Sequence, residues 1–141
     1  MISENGVPSP VLALQRVTHH TLHALSTTLA ELRLTAAEMN VLANLAGGGA
    51  LSVSQLSAET GTKPSTLTNV LDRLENRGYL ARELDPQDRR SFRVALTKQG
   101  AITARQVATA ITELESRALA GLSADQLAAF HAALSALEQA C

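Results

Sequence analysis

The sequence predicts a mostly helical chain with one small β-hairpin, and two observations support this fold class. Leucine and alanine are abundant, whereas only Tyr79, Phe92 and Phe130 are aromatic, a balance that favours helices over a β-sandwich. Apolar residues recur at helical spacing over most of the chain, but residues 79–84 and 92–96 alternate apolar with polar side chains, as half-buried strands do. At 141 residues the chain is long enough for one domain with a core of its own, but not comfortably for two.

The first two helices are predicted from apolar spacing and capping signals. Residues 1–9 are rich in Ser, Asn, Gly and Pro and are expected to form a flexible arm. A long first helix follows, with an apolar side that continues to Leu32. A second helix starts at Thr35, where Thr35-Ala-Ala-Glu38 has the form of a capping box, and it ends at three consecutive glycines.

The third and fourth helices form a predicted helix-turn-helix unit. Ser52 with Gln55 starts the third helix, and Gly61 is suited to the left-handed turn that ends it. Pro64 then fits the first turn of the fourth helix, where its missing N–H costs nothing. One stripe of the fourth helix is expected to be buried and another to be exposed. The buried stripe comprises Leu67, Val70, Leu71 and Leu74, and the exposed residues are Ser65, Asn69, Asp72 and Asn76.

Residues 85–90, Asp-Pro-Gln-Asp-Arg-Arg, form the predicted tip of a hairpin between strands 79–84 and 92–96. A hairpin directly after a helix-turn-helix is the wing of a winged helix-turn-helix domain, here residues 34–97. Such a domain addresses the major and minor grooves of DNA together. The sequence therefore indicates binding to double-stranded DNA.

Charge supports this interpretation when it is divided along the chain. Residues 61–98 carry eight basic and five acidic side chains, a net charge of +3, whereas the rest of the chain carries −4. A basic region suits the phosphate backbone of DNA, although a charged surface can also show such an asymmetry by chance.

The candidate DNA-contacting residues lie at the start of the fourth helix and at the wing tip. They are Lys63, Ser65, Thr66, Thr68, Asn69, Arg73, Arg89 and Arg90. Arg90 is expected to enter a narrow minor groove, the alternative being a solvated loop arginine. Arg73 has two equal interpretations, a phosphate contact or a structural ion pair. Asp88 is expected to orient the wing by pairing with a neighbouring arginine, because phosphates would repel it.

Helices over 10–33 and 98–141 are predicted to form a dimerisation region. The fifth helix runs from Lys98 to about Leu119, and the last begins at Ser123 with Gln126 at capping-box spacing. The apolar faces of these helices exceed what so small a domain can cover, so we expect a homodimer. A self-contained monomeric bundle is the alternative.

A candidate effector site consists of His19, His20 and His23 on the first helix, together with Met39. His19 and His23 share a helix face and could contact a phenolic or carboxylate ligand, but satisfied polar histidines and a core methionine are the simpler interpretation. We predict no metal site, because no Cys, Asp or Glu completes a ligand set, and no cofactor. No catalytic motif occurs, so an enzyme is not expected.

The chain resembles the MarR (multiple antibiotic resistance regulator) family of prokaryotic transcription factors. The resemblance rests on the stretches 66–75, 77–80, 85–90 and 96–100, which occur in the family's order and spacing and place residues 10–140 in its helix order. It implies a homodimer with interlocking terminal helices, a recognition helix in the major groove and a wing arginine in the minor groove. It also implies repression relieved by a small aromatic or phenolic ligand or by thiol oxidation.

Two departures from the family bear on these expectations. Many members have arginine where this chain has Asn69, an amide that suits adenine. The only cysteine is Cys141, so the first helix lacks the cysteine of the peroxide-sensing branch. We therefore expect a ligand-released repressor; a protein-binding anti-activator or helical scaffold that has lost DNA binding is the alternative. With no leader and no apolar run long enough to span a bilayer, we expect a cytoplasmic protein with no membrane partner.

Overall fold

The computed structural model describes residues 4–141, which form six α-helices and a three-stranded antiparallel sheet. The winged helix-turn-helix fold predicted from the sequence is confirmed. The helices are α1 (Pro10–Thr28), α2 (Ala36–Leu45), α3 (Val53–Thr60), α4 (Pro64–Asn76), α5 (Lys98–Leu119) and α6 (Ala124–Ala140). The strands are β1 (Leu51–Ser52), β2 (Leu80–Leu84) and β3 (Phe92–Leu96).

The chain divides into two compact units, one ending at Ala110 and the other comprising Ile111–Cys141. The prediction of a flexible arm over 1–9 lies partly outside the described residues, and residues 4–7 form turns and bends before α1. The assignment of 10–33 and 98–141 to a dimerisation region stays a prediction. Within residues 4–141 no helix is both long and apolar enough to cross a membrane.

The first helix is shorter than the sequence predicted. α1 ends at Thr28, and a separate 3-10 turn follows over Ala30–Leu32. Arg33 then adopts the left-handed conformation, with φ of 51°, the only positive φ of a non-glycine residue in the described chain. The apolar spacing runs on to Leu32 and therefore does not reveal this break.

The predicted caps of the helix-turn-helix are present. The Ser52 hydroxyl accepts the Gln55 N–H, and the Gln55 side chain accepts the Ser52 N–H, so the capping box of α3 is complete. Gly61 ends α3 with φ of 67°, and Pro64 occupies the first turn of α4. At α2 the box is only half formed, because Thr35 accepts the Glu38 N–H while the Glu38 carboxylate turns elsewhere.

The sheet has the order β1-β3-β2 and contains a strand that the sequence did not predict. β1 is only two residues long, too short for an alternating pattern, and it pairs Leu51 with Val94 and Ser52 with Arg93. β2 pairs with β3 in the register that sets Leu80 opposite Leu96. β1 therefore fixes the start of α3 beside the wing.

The hydrophobic core lies between the apolar stripe of α4, the helices α2 and α3, and the sheet. The four residues of the predicted stripe are at most 1% exposed, and they pack with α2, α3 and the sheet. The four residues predicted to face outward on α4 are all exposed. Burying one stripe thus fixes which face of α4 meets solvent.

Candidate nucleic-acid interface

The first turns of α4 present an exposed polar surface. All five candidate residues there are exposed: Lys63, Ser65, Thr66, Thr68 and Asn69. Thr68 donates its hydroxyl hydrogen to the Pro64 carbonyl at 2.9 Å, so its oxygen is left as an acceptor. Within residues 4–141 the amide of Asn69 has no hydrogen-bond partner, which leaves its donor and acceptor available to a base edge.

Backbone and side-chain hydrogen bonds preform the wing tip. Asp85 N–H donates to Ser91 O, and Ser91 N–H donates to Asp88 O, each at 3.1 Å. The Asp85 carboxylate also accepts the Gln87 N–H at 2.9 Å. The loop therefore holds its shape without DNA.

Asp88 shapes the wing in a different way from the one expected. Its carboxylate accepts the backbone N–H of Arg90 at 3.0 Å rather than pairing with a guanidinium. An Asx turn of this kind satisfies the aspartate locally, so no arginine has to be committed to it. The side chains of Arg89 and Arg90 are exposed and carry no ion pair within the described chain.

A pocket of about 550 Å³ lies between the wing and the start of α3. Arg90, Asp85, Asp88 and three serine hydroxyls line it, together with Val53 and Phe92. Ser52 and Ser54 were not among the predicted site residues, because only the pairing of β1 with β3 brings them to the wing. Polar groups at this position extend the exposed surface from the wing tip toward α3.

Glu38 is a buried carboxylate that the sequence placed only in a helix cap. It is 4% exposed, and its two oxygens contact Arg73 Nε at 3.1 Å and Arg77 Nη1 at 3.4 Å. A buried carboxylate needs such partners, because desolvation without them is costly. For Arg73 the structure therefore contains the structural ion pair, while half of its side chain stays exposed and within reach of a phosphate.

The acidic side chains of α4 are neutralised from within the domain. Arg82 of β2 contacts Asp72 at 2.7 Å and Glu75 at 3.3 Å. Both carboxylates on α4 are thus paired, whereas among residues 4–141 the cations Lys63, Arg89 and Arg90 have no ion-pair partner. Positive charge at Lys63, Arg89 and Arg90 is consequently available to a polyanion.

The candidate effector residues differ in burial. His19, His20 and His23 are exposed on α1, whereas Met39 is 3% exposed in the core side of α2. Across the described residues, 4–141, no group of three or more His, Cys, Asp or Glu side chains could hold a metal ion. The effector site stays a prediction for the histidines, and Met39 occupies the core position given as its alternative.

Comparisons with known proteins agree with this geometry. Residues 34–91 match the sequence profile of the MarR family. The HTH-type transcriptional regulator PecS of Dickeya dadantii is 33% identical over 129 residues, covering 89% of this chain and 78% of PecS. The HTH-type transcriptional repressor MdtR of Bacillus subtilis is 33% identical over 94 residues, covering 67% of this chain but only 61% of MdtR. The crystal structure of a mutant MarR from E. coli complexed with operator DNA superposes with a TM-score of 0.73 at 26% identity, covering 89% of this chain and 90% of that one.

Proposed function

Because this chain belongs to the MarR family of transcriptional regulators, we propose that it binds a pseudo-palindromic operator as a homodimer and acts as a repressor released by a small effector. Each α4 would enter a major groove, and each wing would place Arg90 in the adjacent minor groove. PecS is named a transcriptional regulator and MdtR a transcriptional repressor, which supports a role in transcription. MdtR is named a repressor, which supports repression as the mode of action.

The observation that carries this proposal is the division of charge on the α4 and wing surface. Three acidic side chains contact α4 or lie on it, and arginines neutralise all three: Glu38, Asp72 and Glu75. Within the described chain, Lys63, Arg89 and Arg90 remain without an ion pair at the positions that would meet phosphates and the minor groove. These three cations are therefore free to contact DNA without breaking an existing ion pair.

Homodimer formation is supported by apolar side chains that the described chain leaves uncovered. None of the α1 residues Pro10–Thr28 is buried, and Val11, Leu12 and Val17 are 43–49% exposed. α6 likewise buries none of its residues, and Phe130 is 45% exposed. Burial of such surface against a second copy would stabilise the assembly by about 25 cal/mol per Å².

Three measurements test the proposal. Light scattering after size-exclusion chromatography should give twice the chain mass, about 30 kDa from the 14.9 kDa chain. Selected operator DNA should show two-fold symmetric protection, with half-site centres about 10–10.5 bp apart or a multiple of that distance. Affinity should fall steeply between low and physiological salt, because several Lys and Arg side chains would neutralise phosphates. A chain that binds no duplex at low salt would instead be a protein-binding module.

A further inference from the structure

A cluster of contacts joins the end of α4 to the hinge between α1 and α2. Its centre is Arg77, the residue directly after α4. Arg77 Nη2 donates to the Leu32 carbonyl at 2.7 Å, and Nη1 donates to the Arg33 carbonyl at 2.8 Å. We call Arg77, its two carbonyl partners and the residues that hold Arg77 in place the Arg77 junction. A planar guanidinium can serve two successive carbonyls in this way, whereas an ammonium cannot match that fixed geometry.

The hinge held by Arg77 has an unusual conformation. Arg33 lies in the left-handed region with φ of 51° and ψ of 49°, which is unfavourable for a residue with a Cβ. Such a conformation persists when surrounding contacts determine it. The two hydrogen bonds from Arg77 end on the carbonyls directly before and within this residue, so they hold the direction in which the chain runs from the 3-10 turn toward α2.

Arg77 is itself held from two sides. Its Nη1 lies 3.4 Å from the buried Glu38 carboxylate, whose other oxygen accepts from Arg73 one turn earlier on α4. Its guanidinium carbon lies 5.0 Å from the centre of the Tyr79 ring, a cation–π distance. These contacts restrain the Arg77 side chain, so its hydrogen bonds to Leu32 and Arg33 attach the hinge to the end of α4.

The next residues of the junction fasten the same point to α5. Thr97 N–H donates to the Tyr79 carbonyl at 3.0 Å, and the Thr97 hydroxyl donates to the Gly78 carbonyl. Gly100, in the first turn of α5, packs against the Tyr79 carbonyl. The end of α4 is thus connected both to the hinge after α1 and to the start of α5.

Resting on the proposed function, we propose that Arg77 is a positioning residue that sets the half-site spacing accepted by the dimer. Arg77 joins the end of the recognition helix α4 to the hinge after α1, and the neighbouring contacts of Thr97 and Gly100 join it to the start of α5, so α4 is connected to two helices of the proposed dimerisation region. One added base pair moves a half-site by about 3.4 Å and rotates it by about 34° around the duplex. A dimer with a rigid junction would bind weakly to an operator whose half-sites are displaced in this way, whereas a dimer with a loosened junction would still bind it.

The Arg77→Lys variant tests the proposal, with Arg82→Lys as its matched control. Arg82 also makes two contacts with α4, but it does not touch the hinge. Fluorescence anisotropy would measure each protein against operators whose half-site spacing changes by one base pair at a time, and against a single half-site. We expect Arg77→Lys to keep its half-site affinity within about twofold while its preference for the best spacing falls roughly tenfold, the scale of typical coupling between sites. Arg82→Lys should keep the wild-type dependence of affinity on half-site spacing, which we call the spacing profile.

A second variant and a second readout guard against failure of Arg77→Lys to fold. Arg33→Gly keeps both carbonyl acceptors but lets the hinge explore other conformations, so it should flatten the spacing profile in the same direction. Spin labels at Glu59→Cys, exposed on α3, in a Cys141→Ser background should show a broader distance distribution between the two copies in either variant.

Three outcomes would overturn the proposal. An unchanged spacing profile in Arg77→Lys would do so. An unfolded Arg77→Lys together with an unchanged Arg33→Gly profile would do so as well. Equal loss of affinity for the half-site and for every full operator would show that Arg77 only maintains the fold. A wild-type chain that is monomeric or binds no duplex would instead contradict the proposed function, so the two failures are distinguishable.

Discussion

The first turn of α5 passes the end of α4 so closely that Gly100 touches the backbone of Tyr79. A Cβ on Gly100 would stand 1.7 Å from the Tyr79 carbonyl oxygen and 2.6 Å from its carbonyl carbon. Gly100 has no positive φ, so glycine is needed here for space and not for its backbone freedom. Since the obstructing atoms belong to the backbone, no side-chain rotation can relieve the contact.

We predict that Gly100→Ala lowers the free energy of unfolding by at least about 1–3 kcal/mol, the usual cost of an overpacked core, because α5 must move away from Tyr79. Gly121→Ala is the matched control. A Cβ there meets nothing within 4 Å and its φ is not positive, so this change should be neutral or slightly stabilising. Chemical denaturation of both variants measures the difference. Equal stability of the two would contradict the close approach.

Local signals in the sequence predicted the parts of the fold that depend on neighbouring residues. The Ser52 and Ser123 capping boxes and the left-handed Gly61 form as expected, since each is determined within a few residues. The buried stripe of α4 was likewise predicted, because helical periodicity alone decides which side chains share a face.

Contacts between distant residues explain what the sequence did not predict. Glu38 fits a capping box by spacing, but arginines 35 and 39 residues away compete for its carboxylate. The turn at Leu32 and Arg33 accepts hydrogen bonds from Arg77, 45 and 44 residues away, which no periodicity encodes. Gly100 is the last residue of the Leu-Thr-x-x-Gly segment at 96–100, yet the need for glycine there is seen only in the structure, where Tyr79 lies beside it.

Asp88 offers a test of how the wing tip is built. Asp88→Ala removes the acceptor of the Arg90 N–H and should weaken operator binding, since the tip loses its preformed shape. Asp88→Asn keeps a carbonyl oxygen at that place and removes a negative charge beside phosphates, so its affinity should equal or exceed that of the wild type. Equal weakening by both changes would instead assign the role to the charge of Asp88.

Arg90 is expected to contribute affinity more than sequence discrimination. Arg90→Ala should weaken binding to the operator and to A·T-rich competitor DNA alike, because minor-groove and phosphate contacts carry little sequence information. Gln87→Ala, in the same loop but without a change of charge, serves as the control and should bind as the wild type does. Competition gel shifts compare the two DNAs. Loss confined to the operator would show that Arg90 reads bases.

Asn69, in contrast to Arg90, is expected to contribute sequence discrimination more than affinity. Its exposed amide on α4 can make two hydrogen bonds with adenine in the major groove. Asn69→Ala should therefore lose discrimination at one base pair of each half-site by roughly 1–3 kcal/mol, with other positions unaffected. Binding to a set of single-substitution operators measures this. An even loss across all positions would assign Asn69 to phosphate contact.

The histidines of α1 provide the test of effector control. His19 and His23 lie one turn apart and are exposed, so replacing them removes no core packing, whereas changes at the buried Met39 would disturb the fold. If a phenolic or carboxylate ligand contacts this pair, His19→Ala or His23→Ala should reduce ligand-driven release from the operator while leaving ligand-free affinity nearly unchanged. Thermal shift against small phenols and carboxylates would identify the ligand, and gel shifts with that ligand would compare the variants. His131→Ala is the control, since His131 is an exposed histidine on α6 and should leave the ligand response intact. An unaltered response in both α1 variants would place the effector site elsewhere and leave the DNA-binding proposal untouched.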